Sequence, residues 1–195
     1  MKHFFIVALT ALGMVSCANI NANQRKGETF TVATNATQIV SELKAFDHLS
    51  VGSALDVKFI QSDRHHIEIH GTEKDLHNIN YTNENGVFDI WVNTKEDKDG
   101  NGWKRTNRGH GKISVTIYGK QLKSTNAYGA SKIAINSLQC ANLEISNSGA
   151  STTNITKLDA NEVNINNRGA SITNIANLDA NGVDIGNSGA SITNI

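Results

Sequence analysis

In the last third of the chain, apolar positions alternate with polar ones, as in Val163-Asn164-Ile165 and Val183-Asp184-Ile185, and the pattern returns on a fixed beat. Ile135, Ile155, Ile175 and Ile195 lie 20 residues apart, as do Leu138, Leu158 and Leu178. Leu143, Val163 and Val183 keep the same step, and so do Ile145, Ile165 and Ile185. A period of two belongs to a strand with one buried face, and no part of the repeat holds the apolar spacing a helix needs. Asn, Gly, Ser and Thr fill the polar places, and these residues favour turns. Gly-Ala-Ser itself recurs at Gly129–Ser131, Gly149–Ser151, Gly169–Ser171 and Gly189–Ser191. The pattern predicts an all-β chain whose residues 121–195 form a β-solenoid, or β-helix, of 20-residue coils. Each coil would add about 4.8 Å, one strand spacing.

Two other architectures share this length. Leucine-rich repeats need Leu-x-x-Leu-x-Leu, and Leu138 to Leu143 is too wide a gap. A pentapeptide coil accepts Leu178 and Val183 at its centres, but its next two centres are Ser188 and Thr193. Asn recurs at 147, 167 and 187, and at 154, 174 and 194, which predicts side-chain amide ladders between stacked coils. Such ladders require no ligand.

Residues 44–120 carry a less regular β pattern. Leu55–Phe59, Ile67–Ile69, Val87–Val92 and Ile113–Ile117 read as strands, with Trp91 expected in the core. Asn85-Gly86 between Tyr81 and Val87 signals a hairpin. The order Phe46-Asp47-His48-Leu49-Ser50-Val51, Asp56-Val57-Lys58-Phe59-Ile60-Gln61, Asn85-Gly86-Val87-Phe88-Asp89-Ile90, Ile113-Ser114-Val115-Thr116-Ile117-Tyr118, then Gly-rich repeats, resembles the auto-transporter adhesin head GIN domain family. That is a domain of unknown function common in Bacteroidota lipoproteins. The likeness spans roughly residues 44–195 and implies a β-helix-like fold and an envelope location. The family often shows Ser-Gly-Ser where this chain has Gly-Ala-Ser.

At the front, Lys2 and His3 precede the apolar run Phe4–Val15, too short for the roughly 20 residues of a membrane span. A positive start, an apolar centre and a small residue before the cut make residues 1–16 a signal peptide. Met14-Val15-Ser16-Cys17 resembles a bacterial lipobox, which implies cleavage before Cys17 and its lipidation. Residues 17–43 then hold the lipidated Cys and a polar, flexible linker. Cys140 is left as the second cysteine, with no intramolecular partner, in a small-residue slot shared with Ala160 and Ala180.

Eighteen basic and 18 acidic residues cancel, and no basic stripe interleaves with aromatics, so no nucleic-acid partner is expected. Pro is absent and aromatics are 6%, so a core built from Ile, Val, Leu and Ala is expected.

Each candidate site competes with a plainer reading. Asp97, Asp99 and Asn101, followed by Gly102, match the first half of a calcium loop. The twelfth position is Arg108 rather than Glu, so a solvated turn fits as well. His66, Glu68 and His70 share one strand face, yet the two imidazoles would sit about 13 Å apart, too far to share one zinc ion. The plainer reading is a wet strand face with Ile67 and Ile69 inward. Ser41-Glu42-Leu43-Lys44 spells Ser-x-x-Lys without a supporting second motif. Asp159 and Asp179 align with Gln139, giving only a two-rung acidic ladder. Trp103, beside Lys104 and Arg105, is the candidate ligand-stacking ring.

The expectation is therefore a non-enzymatic, cofactor-free envelope β-solenoid, anchored by Cys17 and adhesin-like, that binds a glycan or extended polypeptide. Its expected site is extracytoplasmic, at the outer membrane. Ile195 falls midway through a coil, so either a partner completes that coil or the sequence is a fragment, and self-assembly with a second copy is the alternative. A glycan-active β-helix enzyme is a remote third.

Overall fold

The computed structural model describes residues 38–71, 76, 78–93 and 113–195, with side chains from residue 41 onward. Among these the protein is all-β, and its strands join in one curled 13-stranded sheet. They are β1 (Gln38–Glu42), β2 (His48–Val51), β3 (Asp56–Gln61), β4 (His66–His70), β5 (Ile79–Glu84), β6 (Val87–Val92) and β7 (Ser114–Gly119). There follow β8 (Ser124–Ala127), β9 (Lys132–Asn147), β10 (Thr152–Gly169), β11 (Ile172–Ile175), β12 (Leu178–Gly189) and β13 (Ile192–Asn194).

The repeats stack in parallel at their own period. β10 lies on β9 with Ile155 beside Ile135, Leu158 beside Leu138 and Ile165 beside Ile145. β12 continues the column with Val183 beside Val163, and β11 and β13 do so with Thr173 beside Thr153 and Thr193. In front of the repeats the offset jumps to 76 residues: β8 pairs with β2, and the start of β9 pairs with β3. The residues between β3 and β8, together with β1, form two wings. On one, the β5–β6 hairpin pairs β6 in parallel with β2; on the other, β7 pairs with β3, β4 with β7 and β1 with β4. Strand β1 thus occupies the end of the segment expected to be a linker.

Burial follows the alternation. Ile135, Leu138, Leu143, Ile145, Ile155, Leu158, Val163 and Ile165 are all at most 2% exposed. Burying such a side chain contributes about 1.5–3 kcal/mol, so stacked apolar columns carry much of the fold. Val183 and Ile185 hold the same register positions as Val163 and Ile165 but are 41% and 40% exposed, because β12 pairs only with β10 among the described residues.

Gly-Ala-Ser has a physical explanation. Gly129, Gly149, Gly169 and Gly189 all take φ between 75° and 80°. A Cβ on Gly149 would lie 2.6 Å from the Gly129 carbonyl oxygen, so both conformation and space demand glycine. The following Ala150 N–H donates to that same oxygen at 2.7 Å, and Ala170 repeats the bond on Gly149 at 2.8 Å. The serine closes the corner and is buried at Ser131, Ser151 and Ser171. Ser151 Oγ lies 2.9 Å from the Ala127 carbonyl oxygen and 3.0 Å from that of Ser148. In the irregular part, Ser53 stands where the repeats have glycine, at φ 58°. Asn85 and Gly86 have φ 54° and 80°, the paired left-handed geometry of a tight hairpin turn.

One polar column runs inside the sheet. Asn147 Nδ2 donates to Asn167 Oδ1 at 3.0 Å, and Asn167 Nδ2 to Asn187 Oδ1 at 3.2 Å. Thr153 and Thr173 hydroxyls donate to Asn147 and Asn167 at 2.7 and 2.9 Å. These four residues are at most 2% exposed, so the ladder satisfies groups that water cannot reach.

Candidate binding face

The outward residues of the sheet form rows that cross many strands. One row runs Glu68, Thr116, Lys58, Ala134, Asn154, Asn174 and Asn194. Its amides form the second expected ladder: Asn174 donates to Asn154 and Asn194 to Asn174, each at 2.7 Å. Beside it His66 stacks on Tyr118, with ring centroids 3.9 Å apart and planes at 8°. Burial raises the Tyr118 phenol above its ordinary pKa, and the neighbouring Glu68 carboxylate adds to the effect.

Around the bend of β9 a second polar surface begins. Its rows run Val87, His48, Ser124, Glu144, Asn164, Asp184, and Asp89, Ser50, Asn126, Ser146, Asn166, Gly186. At one corner of this surface Lys123 Nζ lies 2.7 Å from Asp47 Oδ2, and His48 Nε2 lies 3.3 Å from Asp47 Oδ1. His48 Nδ1 in turn sits 2.6 Å from Ser124 Oγ. The hydrogen bond from Lys123 is the main cause holding the Asp47 carboxyl below its usual pKa. The order Ser, His, Asp invites a nucleophilic reading. However, the Lys123 and Ser124 N–H groups both donate to the Asp47 carbonyl oxygen, at 2.7 and 3.2 Å, so neither is aimed at an oxyanion. The group fastens the start of β8 to the start of β2.

A family model described as "Putative auto-transporter adhesin, head GIN domain" matches residues 45–195. The chain belongs to this family. Solved structures share the fold: a "putative adhesin" from Bacteroides fragilis aligns with TM-score 0.61 and 18% identity, over 80% of this chain and 73% of that one. A "putative lipid binding protein" from Parabacteroides distasonis gives 0.54 and 14%, over 80% and 75%. A "putative adhesin" from the same organism gives 0.52 and 14%, over 79% and 74%. At these identities the likeness speaks for the fold alone. No curated protein matches the chain.

In this head GIN chain several expected site residues lie outside the described residues: Cys17, Asp97, Asp99, Asn101 and Trp103. The others can be placed. His66 Nε2 is 3.5 Å from Glu68 Oε1, while His70 is exposed and pairs with Ser114. Ile67 and Ile69 are buried, at 0% and 1%, as a half-wet strand requires. Among the described residues, no three His, Cys, Asp or Glu side chains gather as a metal site. Ser41 of the Ser-x-x-Lys spelling lies in β1, its hydroxyl 3.4 Å from the Glu42 carbonyl oxygen. Gln139 Nε2 donates to Asp159 Oδ2 at 3.4 Å, so amide and carboxylate share the ladder with Asp179.

Cys140 is half-buried beside Ala160. Desolvation, and then the Asp159 charge, push its thiol pKa up, which keeps it a poor nucleophile. Trp91 is not in the core. Phe88, Ile90 and Val92 take the buried face of β6, and the indole N–H reaches Asn93 Oδ1 at 3.3 Å on the outer one.

Proposed function

We propose that this protein is a lipid-anchored, extracytoplasmic β-solenoid that binds a glycan or an extended polypeptide without catalysis. In this reading residues 1–16 are a signal peptide and Cys17 is lipidated at the outer membrane. The rest of 17–43 is a tether that ends at β1, residues 44–120 are the irregular part of the solenoid, and 121–195 are its 20-residue coils. The observation that carries the reading is the outward amide row Asn154, Asn174, Asn194, held rigid by bonds of 2.7 Å. Side-chain amides offer both donors and acceptors, and a fixed lattice of them meets a periodic polymer at little entropic cost. Family membership supports an adhesin-like module in the envelope.

The test is an array of glycans, peptidoglycan fragments and matrix proteins probed with residues 18–195, with and without calcium. Saturable binding lost in Asn174→Ala supports the reading. If Trp103→Ala also abolishes it, residues 95–108 join the site, and a calcium requirement would assign Asp97, Asp99 and Asn101 as ligands. Absence of binding to every class overturns it.

One observation favours a second reading, self-assembly. Val183, Ile185 and Ile192 are 40–49% exposed, apolar strand residues of the kind against which a second copy could add its strands. Sedimentation showing a monomer at all concentrations would remove it.

A further inference from the structure

The second polar surface carries an aromatic ring held across bare backbone. Continuing the registers of β2 by one residue sets Gly52 between Trp91 of β6 and the residue after β8, Tyr128. The Gly52 N–H donates to the Ile90 carbonyl at 2.9 Å and the Tyr128 N–H to that of Val51 at 3.0 Å, so the three positions are tied together. A Cβ on Gly52 would lie 2.1–2.5 Å from Tyr128 Cζ, Cε2 and Oη, so the end of the ring occupies the space that glycine leaves empty. From there the hydroxyl lies 3.4 Å from Asp89 Oδ1 on β6. Tyr128, Asp89 and Trp91 are all half-buried, each showing part of itself to solvent. Ser50 and Asn126 adjoin them, their side chains 3.4 Å apart.

We infer that Tyr128, Asp89 and Trp91 form a platform for one pyranose ring of a glycan, with Ser50 and Asn126 at its border. This rests on the binding-module reading, narrows its ligand to sugars, and sets a sugar subsite on the second polar surface, apart from the Asn154, Asn174 and Asn194 row. The electron-rich faces of Tyr and Trp attract the weakly positive C–H face of a pyranose. The carboxylate has acceptor capacity beyond the Tyr128 bond, and hydroxyl pairs on a sugar are donors of matching spacing. Because Asp89 and the Gly52 gap both hold the ring, stacking costs little ordering entropy.

The test uses full-length protein purified in detergent, a panel of neutral and N-acetylated oligosaccharides and peptidoglycan fragments, and circular dichroism to verify folding. Tyr128→Ala is expected to lower affinity for the best oligosaccharide at least tenfold. Gly52→Ala keeps every polar group but evicts the ring, and should match it. Tyr128→Phe should lose only a few-fold, and Asn164→Ala, remote on the same surface, nothing. Folded Gly52→Ala and Tyr128→Ala proteins that bind as tightly as the parent would overturn the inference and leave the binding-module reading intact; the ring would then serve only to cover Gly52. Binding of polypeptides but no sugar would likewise sink the platform alone. Binding of neither sinks both.

Discussion

Asn167→Ala is the sharpest probe of the buried ladder. Asn167 is 1% exposed, and its amide oxygen accepts from Asn147 Nδ2 at 3.0 Å and Thr173 Oγ1 at 2.9 Å. Its Nδ2 reaches Thr193 Oγ1 at 2.8 Å and Asn187 Oδ1 at 3.2 Å. Alanine leaves the Thr173 hydroxyl, 0% exposed, without this acceptor. An orphaned buried donor costs about 1–3 kcal/mol, and each remaining net hydrogen bond about 1 kcal/mol. Asn147 keeps Thr173 Oγ1 at 2.8 Å, so its loss is partial. The expected destabilisation is about 2–4 kcal/mol. Asn174→Ala is the control, since it also breaks two amide bonds but on a half-buried outer face where water replaces them. Its expected cost is below about 1 kcal/mol. Urea unfolding followed by far-ultraviolet circular dichroism measures both. A difference between the two variants smaller than about 0.5 kcal/mol, the usual scatter of surface substitutions, would refute the argument that burial makes the inner ladder matter.

Four further outcomes follow from the geometry. Gly149→Ala must cost more stability than Gly129→Ala: both force alanine to φ above 70°, but only Gly149 sets the new methyl 2.6 Å from backbone, against 3.5 Å at Gly129; equal melting temperatures would contradict this. Ser53→Gly relieves a left-handed serine and should stabilise by up to about 1 kcal/mol, checked by thermal unfolding. Asp47 has a folded pKa below its unfolded one, so its contribution is present above the unfolded value and is lost as pH falls through the folded one. Lys123→Met should therefore shift acid unfolding, in the region below about pH 4, to higher pH, and an unmoved acid limb would count against the pair. Cys140 should alkylate with iodoacetamide more slowly than a free thiol at pH 8.5, and Asp159→Asn should speed it by removing the second cause of the raised pKa.

The features visible in the sequence were those that repeat or act locally. Asn85-Gly86 marked its hairpin because two left-handed residues specify the turn by themselves. The Asn147 and Asn154 ladders were legible because parallel stacking puts residues 20 apart side by side. Trp91 was misplaced because Val87–Val92 carries apolar residues on both faces, so alternation does not say which one is inward. Gln38–Glu42 read as tether because its partner, β4, lies elsewhere in the chain and the strand has no pattern of its own. The cluster of Asp47, His48, Lys123 and Ser124, and the approach of Tyr128 to Gly52, both cross the 76-residue offset of β2 and β8. No local period announces a contact of that separation.

The constant step of the repeats also governs how such a protein can change. Gly169–Ile175 and Gly189–Ile195 are the same seven residues, and such near-duplicates let the coding sequence slip by whole units. Gain or loss of 20 residues leaves every column in step and alters the stack by about 4.8 Å. A shift of one residue would turn each strand's apolar side to water. The length of the stack can therefore change only in whole steps that keep the buried columns in register, while the outward residues are free to differ from level to level, as Glu144, Asn164 and Asp184 do.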